Sequence, residues 1–392
     1  MKQILILSGF WPRRNNTISG IFVVQQIAAL VRQGCRVTVI VFRTLGKPES
    51  PCLSTEELGL PEEDVYLQII PVLRLPEKLS SLPGAMHFNI ALAGRSIRRG
   101  IKRLQGEGAL EGAIVHGLRY FGLSLPMWSR QLAAPVVLVF HGVESILEKP
   151  ANRNRLRKIV PSVEAVSSWI VMVGTPLRSH VRGLGFSEDR MTVVPNGTEL
   201  LPRQQVSKAQ RSLQQNRVVV SVSNLVALKG IDLNLQALAR VQKSHPELDW
   251  TYLIVGDGEE RINLEVLVTE LGLADRVNFM GRIPYSKTMQ VVANSDIFCL
   301  PSWGEAFGIV YLEAMARSRP VIGCLENGGA DFISHGEEGL LVTPRNISML
   351  TSALEKLLLS PELCSSMGQK GRERSKQFSW NLNAKRMLDL LN

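Results

Sequence analysis

Two glutamates eight positions apart, Glu305 and Glu313, stand in the segment Pro301-Ser-Trp-Gly-Glu-Ala-Phe-Gly-Ile-Val-Tyr-Leu-Glu313-Ala-Met-Ala. Ser302, Gly304 and Gly308 break off the strand-like run Asp296-Ile-Phe-Cys-Leu300, and the pattern from Ile309 to Arg317 predicts a helix. Glu305 then belongs to the loop, and Glu313 lies at least a turn inside the helix. With about 1.5 Å of rise per residue, the carboxylates stand about 10 Å apart. That is too far for one acid/base couple working on a single bond. It suits the two ends of an elongated polar ligand, with the unpaired N–H groups of the helix start between them.

Other residues offer complementary chemistry. Lys229 follows the strand-like run 218–222, and Gly230-Ile-Asp opens the next helix. A cation at the carboxyl end of a parallel strand, beside a helix N-terminus, suits a phosphate; taken alone, the residue reads rather as a solvated surface lysine. Gly256-Asp-Gly-Glu-Glu ends another strand, but Gly-x-Gly-x-x-Gly is absent, so a phosphate loop and a plain turn both fit. Gly20 lies in the long loop after the first strand, where a helix begins and a ligand can approach the backbone closely. His141, followed by Gly142 at the end of the strand 136–140, is either structural or functional. The sequence holds no Asp-x-Asp pair and no His/Asp/Glu cluster with metal-ligand spacing. A diphosphate would therefore be neutralised by lysine and helix dipoles, with no metal.

These residues need a scaffold of alternating strands and helices. Strand-like runs at 4–7, 37–42, 113–116, 136–140, 169–173 and 191–194, then at 218–222, 252–255, 277–280, 297–300, 321–323 and 339–342, alternate with helical segments. The fold class is α/β, with two Rossmann-like domains facing across a cleft. A length of 392 residues fits two cores better than one. The expected division is one domain over 1–200, a second over 201–375 and a helix over 376–392, anchored by Trp380, that packs back on the first domain. The polar, proline-marked stretch 201–210 reads as the linker.

Composition narrows the setting. No apolar run approaches the about 20 residues needed to span a bilayer, and the N-terminus reads as a buried strand rather than a signal peptide. The five scattered cysteines include no Cys-x-x-Cys and fit a reducing cytoplasm. Residues 1–195 carry 24 Lys and Arg against 14 Asp and Glu, whereas residues 196–392 carry 21 of each. The first half alone therefore faces something anionic. Its helix 89–104 sets Ile90, Ala93, Ile97, Ile101 and Leu104 on one side and Arg95, Arg98, Arg99, Lys102 and Arg103 on the rest, the pattern of an anionic membrane surface or an ordinary solvated face. Arg153, Arg155, Arg157 and Lys158 form a second basic cluster. Nucleic acid is not expected, because no binding motif or aromatic-interleaved basic patch accompanies the charge.

The ordered set Asn224-Leu-Val-Ala-Leu-Lys229-Gly-Ile-Asp, Val255-Gly-Asp-Gly, Phe279-Met-Gly-Arg-Ile-Pro, the Glu-x7-Glu segment, Pro320-Val-Ile and Glu338-Gly-Leu-Leu-Val resembles the retaining, metal-independent glycosyltransferases of family 4, with the GT-B fold. The resemblance implies that Glu305 meets the donor sugar, helped by backbone N–H groups around Phe307 and Gly308. It places Glu313 on ribose hydroxyls, Lys229 on the diphosphate, and the backbone near Arg282 and Ile283 against the base. Gly20 would lie over the phosphates from the opposite domain, and His141 would face sugar and acceptor. Where relatives carry an arginine five residues before the lysine, this chain has Asn224, which brings no charge, so Lys229 acts alone or recruits Arg282. An aspartate, Asp331, follows the Gly328-Gly329 turn where relatives often have an acid, and Ser19-Gly20 stands where they have paired glycines.

The function expected from this resemblance is transfer of a hexose from a UDP- or GDP-sugar to a lipid-linked or growing glycan, in cell-envelope or exopolysaccharide synthesis. The protein would work without a cofactor, as a peripheral protein on the cytoplasmic face of the plasma membrane. A soluble transferase acting on a small molecule, or a non-catalytic nucleotide-sugar-binding relative, are the competing expectations.

Overall fold

The computed structural model describes residues 1–45, 49–73, 84–104, 109–142, 150–200 and 216–392, without the side chains of residues 150–153 and 155. The stretch 201–210, expected as a linker, and the side chains of Arg153 and Arg155 lie outside the described residues. The chain divides into two units, Met1–Gly197 with Trp380–Asn392, and Thr198–Ser379.

The first unit is built on β1 (Lys2–Ser8), β2 (Cys35–Thr44), β3 (Val65–Val72), β4 (Gly112–His116), β5 (Val136–Phe140), β6 (Trp169–Met172) and β7 (Met191–Val193). They form one parallel sheet in the order β3-β2-β1-β4-β5-β6-β7. Its helices are α1 (Ile21–Arg32), α2 (Ala85–Leu104), α3 (Leu125–Trp128), α4 (Pro150–Glu164) and α5 (Leu177–Gly183). The central strands β4 and β5 are buried along their whole length, as continuous apolar runs covered on both faces must be. The edge strand β3 is absent from the sequence expectation. It mixes buried and exposed positions and contains Pro71, which an edge strand tolerates because only one neighbour is bonded.

The second unit has β8 (Arg217–Val222), β9 (Trp250–Val255), β10 (Val277–Gly281), β11 (Ile297–Cys299), β12 (Val321–Cys324) and β13 (Gly339–Val342), again all parallel, in the order β10-β9-β8-β11-β12-β13. Its helices are α6 (Ile231–Ser244), α7 (Arg261–Glu270), α8 (Tyr285–Asn294), α9 (Ile309–Ala316), α10 (Ile347–Leu359) and α11 (Pro361–Ser375). Each sheet thus repeats the Rossmann strand order, reversing between β1 and β4 in one and between β8 and β11 in the other. Ligands of such sheets sit outside the carboxyl ends of the strands at the reversal. The loops after β1, β4, β8 and β11 are therefore where the site residues have to be sought.

The last helix, α12 (Trp380–Asp389), belongs to the first unit and packs on α1. Gln26 Nε2 on α1 donates to Asn383 Oδ1 at 2.7 Å, and Asn383 Nδ2 donates to the carbonyl of Pro195 at 2.7 Å. Trp380 is buried beside them. The chain passes between units at Gly197/Thr198 and Ser379/Trp380, a few residues from the positions 200 and 375 expected from the sequence. The reason is Phe378, which packs its ring on Phe332 at 5.5 Å and so stays with the second unit. Among the described residues no helix is long and apolar enough to cross a membrane.

Candidate active site

At the reversal of the second sheet, the loop after β11 is tied to the loop after β8. The Trp303 N–H and the Ser302 hydroxyl both donate to the carbonyl of Leu228, at 3.1 Å each. A third loop, after β12, locks the same segment: Asn327 Nδ2 donates to the carbonyl of Ser302 at 2.7 Å, and the Gly328 N–H donates to the carbonyl of Glu305 at 2.9 Å. These ties bring together two residues 76 positions apart. Lys229 Nζ lies 2.5 Å from Glu305 Oε1, with both side chains only 14–17% exposed. A cation and a carboxylate sit half-sheltered beside the start of α9. The loops therefore set a fixed cation and a carboxylate acceptor side by side, groups that can bind a phosphate and a hydroxyl respectively.

The start of α9 is set by Gly308, in the left-handed region at φ 83°. A Cβ there would stand 2.5 Å from the Tyr311 ring, so conformation and space both require glycine. No side chain caps this helix, which leaves its first N–H groups to a ligand or to water. Phe307 is buried against Phe332, with ring centroids 5.0 Å apart, so its side chain is core and only its backbone can serve a ligand.

Glu313 lies inside α9, as the sequence implies, but it is 4% exposed rather than open. Burial pushes its carboxyl up to about 7, offset in part by the hydroxyl of Tyr285, which donates to Oε1 at 2.6 Å, and by Arg317. No hydrogen bond joins it to Glu305 among the described residues, so the two acids are not a couple. Tyr285, at the first position of α8, carries no local sequence pattern that marks it as the partner of Glu313.

The remaining donor-side candidates are looser. Asn224 and Arg282 are exposed, and Ile283 is half-buried. Ile283 helps line a cavity of about 440 Å³ with Val218, Leu253, Met280, Lys287 and Val291. None of Lys229, Glu305 or Glu313 lines it, so this cavity is not where the charged chemistry gathers.

In the first unit, Gly20 caps α1 at φ 79°, and a Cβ there would stand 2.5 Å from the backbone of Phe10. The fold alone therefore requires glycine here, whatever a ligand adds. His141, just after β5, is half-buried under the rings of Phe22 and Phe10, with centroids 4.5 Å and 5.8 Å away. Its Nε2 stands 2.7 Å from Nδ1 of His116, the last residue of β4. Burial holds both imidazoles well below their usual range, His116 down to about 3, so both are neutral at pH 7. The sequence marks His116 only as a strand end; its position beside the reversal was the available signal.

The basic helix differs from its expected role in one respect. Ile90, Ala93, Ile97, Ile101 and Leu104 on α2 are all buried in the first unit, so that apolar face is not available to enter a bilayer. Arg95, Arg98, Arg99, Lys102 and Arg103 are exposed, as are Arg157 and Lys158 on α4. What α2 offers is a charged surface rather than a membrane-inserting wedge.

Two family models match the chain in tandem: Glycosyltransferase Family 4 over residues 19–200 and Glycosyl transferases group 1 over residues 202–374. An uncharacterised glycosyltransferase of Haemophilus influenzae is 32% identical over 194 residues, 49% of this chain and 52% of that protein, so the matched stretch spans about half the relative's length. The GDP-mannose-dependent alpha-(1-6)-phosphatidylinositol monomannoside mannosyltransferase of Mycolicibacterium smegmatis is 28% identical over 310 residues, 74% of this chain and 78% of the relative. Among solved structures, Anabaena HepE in complex with UDP superposes with a TM-score of 0.72 at 19% identity, covering 100% of this chain and 99% of HepE. HepE has also been solved with UDP-glucose.

Proposed function

The chain belongs to the GT-B glycosyltransferases, and on that premise we propose that it moves a hexose from a UDP- or GDP-sugar to a lipid-linked or growing glycan, with retention and without a metal ion. The observation that carries this reading is the Lys229–Glu305 pair at 2.5 Å beside the uncapped start of α9. A sugar diphosphate needs a cation and N–H groups for its phosphates and an acceptor for its hydroxyls, within a few ångströms of one another.

In this reading the backbone N–H groups around Phe307 and Gly308 join Glu305 at the donor sugar, while Lys229 and the first N–H groups of α9 receive the diphosphate. Their attraction grows as negative charge collects on the leaving group, which is how a fixed cation accelerates a bond-breaking step. Glu305 accepts from the sugar hydroxyls and Glu313 from the ribose. The backbone near Arg282 and Ile283 meets the base. The acceptor hydroxyl attacks from the face the diphosphate leaves, and a phosphate oxygen takes its proton, which gives retention. His141 is the first unit's ligand contact. The names of the similar proteins support the donor class: HepE binds UDP and UDP-glucose, and the mycobacterial enzyme is named for GDP-mannose. That enzyme is also named for phosphatidylinositol monomannoside, which supports a lipid-borne acceptor here. The exposed basic face of α2 supports adsorption to an anionic membrane.

The test is a panel of UDP- and GDP-sugars assayed for hydrolysis with EDTA present. Turnover of at least one donor, lost in Glu305→Gln, is the expected result. Absence of turnover with every donor, or turnover only after a divalent ion is added, contradicts it.

A further inference from the structure

Beside His141 lies a second histidine that the proposed roles leave unused. His116 and His141 end neighbouring strands of one sheet, and His116 Nδ1 meets His141 Nε2 at 2.7 Å. Phe22 walls in both rings, at 4.5 Å from His141 and 6.4 Å from His116. His116 is 2% exposed, and its Nε2 has no hydrogen-bond partner among the described residues. Two neutral imidazoles at this separation share one N–H, so each ring is held in one tautomer.

The arrangement can be chosen on the unpartnered atom. If His141 Nε2–H donated, His116 would carry its proton on Nε2, leaving a buried N–H without an acceptor. If His116 Nδ1–H donates, only a bare lone pair is left there. Orphaned buried donors are the rarer and costlier of the two. His116 is therefore the donor.

We propose that His116 is a positioning residue whose Nδ1–H bond holds His141 as its Nδ1–H tautomer, so that His141 presents a hydrogen-bond donor to an oxygen of the ligand. The inference rests on the reading of His141 as a ligand contact. Without that partner the ring would exchange tautomers and rotate, and the donor would be present only part of the time.

Long-range ¹H–¹⁵N correlation spectra of the ¹⁵N-histidine-labelled protein at pH 7 test this without any substrate. The expected spectrum has His141 protonated at Nδ1 and bare at Nε2, with averaged nitrogens in His116→Phe. His116→Asn, whose amide can place an N–H near the lost Nδ1, restores the single tautomer and shows that the Phe result is not misfolding. In hydrolysis of UDP-glucose or GDP-mannose, whichever is turned over, kcat/KM falls about tenfold in His116→Phe and recovers in His116→Asn. A wild-type His141 protonated at Nε2, or a His116→Phe protein with unchanged spectrum and kcat/KM, overturns the inference. Wild-type kcat/KM in His141→Ala would remove the ligand role of His141 and this inference with it. Loss in His141→Ala alongside normal His116→Phe would overturn only the inference.

Discussion

Lys229 and Glu305, 76 residues apart in sequence, form a 2.5 Å ion pair because the loops after β8 and β11 are hydrogen-bonded to each other through the carbonyl of Leu228. The pair is a local property of the second unit. Lys229→Ala should lower kcat/KM for the donor by about a hundredfold or more, as loss of a fixed transition-state charge does. It should also cost roughly 1–2 kcal/mol of stability by leaving Glu305 half-sheltered and unpaired, less than in a fully buried pair. Steady-state kinetics with urea melts of the same protein check both, and unchanged turnover removes the phosphate role.

Glu313 should make stability and binding depend on pH. Its carboxyl is raised from 4.5 to about 7, chiefly by burial. Between those values the folded state holds a proton that the unfolded state has lost, so stability falls as pH rises through about 7. The contribution is fully present below pH 4.5, and its full span is on the order of 3 kcal/mol. Glu313→Gln should therefore gain in Tm relative to wild type between pH 5 and pH 8.

Ribose hydroxyls that donate to Glu313 favour its charged form and lower its pKa. Nucleotide binding at pH 6.5 should then release a fraction of a proton. Calorimetry in buffers of different ionisation enthalpy reads that release directly, and it should vanish in Glu313→Gln.

Gly20→Ala and Gly308→Ala should both destabilise, by different routes to the same conflict. Each residue has a left-handed φ, 79° and 83°, and each added Cβ would lie 2.5 Å from another atom. At Gly20 that atom is backbone and cannot yield; at Gly308 it belongs to the Tyr311 ring. The left-handed conformation alone costs about 1–2 kcal/mol, and overlap adds about 1–3 kcal/mol. Thermal melts should show the larger loss for Gly20→Ala.

The exposed cations of α2 should bind anionic vesicles by charge alone. Replacing Arg95, Arg98, Arg99, Lys102 and Arg103 with Gln should abolish co-sedimentation with phosphatidylserine-containing vesicles, at about 1 kcal/mol per charge. Wild-type binding should also fade between 0.05 and about 0.5 M salt as the screening length shortens. Salt-insensitive binding would instead require an inserted apolar face, which α2 does not offer.

Much of this architecture was legible in the residues. Apolar runs gave twelve of the strands close to their places because buried parallel strands have little else in them, and Gly308 marked where α9 begins. What stayed hidden depends on partners distant in sequence. The edge strand β3 lacks a buried run because one side of it is unpaired. The roles of Tyr285 and His116 emerge only when Glu313 and His141 are brought against them. Asn327, which fastens the Glu305 loop through the carbonyl of Ser302, looks like an ordinary turn residue until β12 is placed beside β11. The basic stripe of α2 was plain from spacing, but its apolar side was open to two interpretations until the first unit covered it.

In the proposed function the second unit clamps a nucleotide sugar between Lys229, Glu305 and Glu313. Calorimetric titration with UDP-glucose and GDP-mannose in the presence of EDTA tests it most directly. One of the two should bind the wild-type chain, and Lys229→Ala and Glu313→Ala should each weaken that binding about tenfold or more. Binding of neither donor, or equal binding by wild type and both variants, would contradict the account.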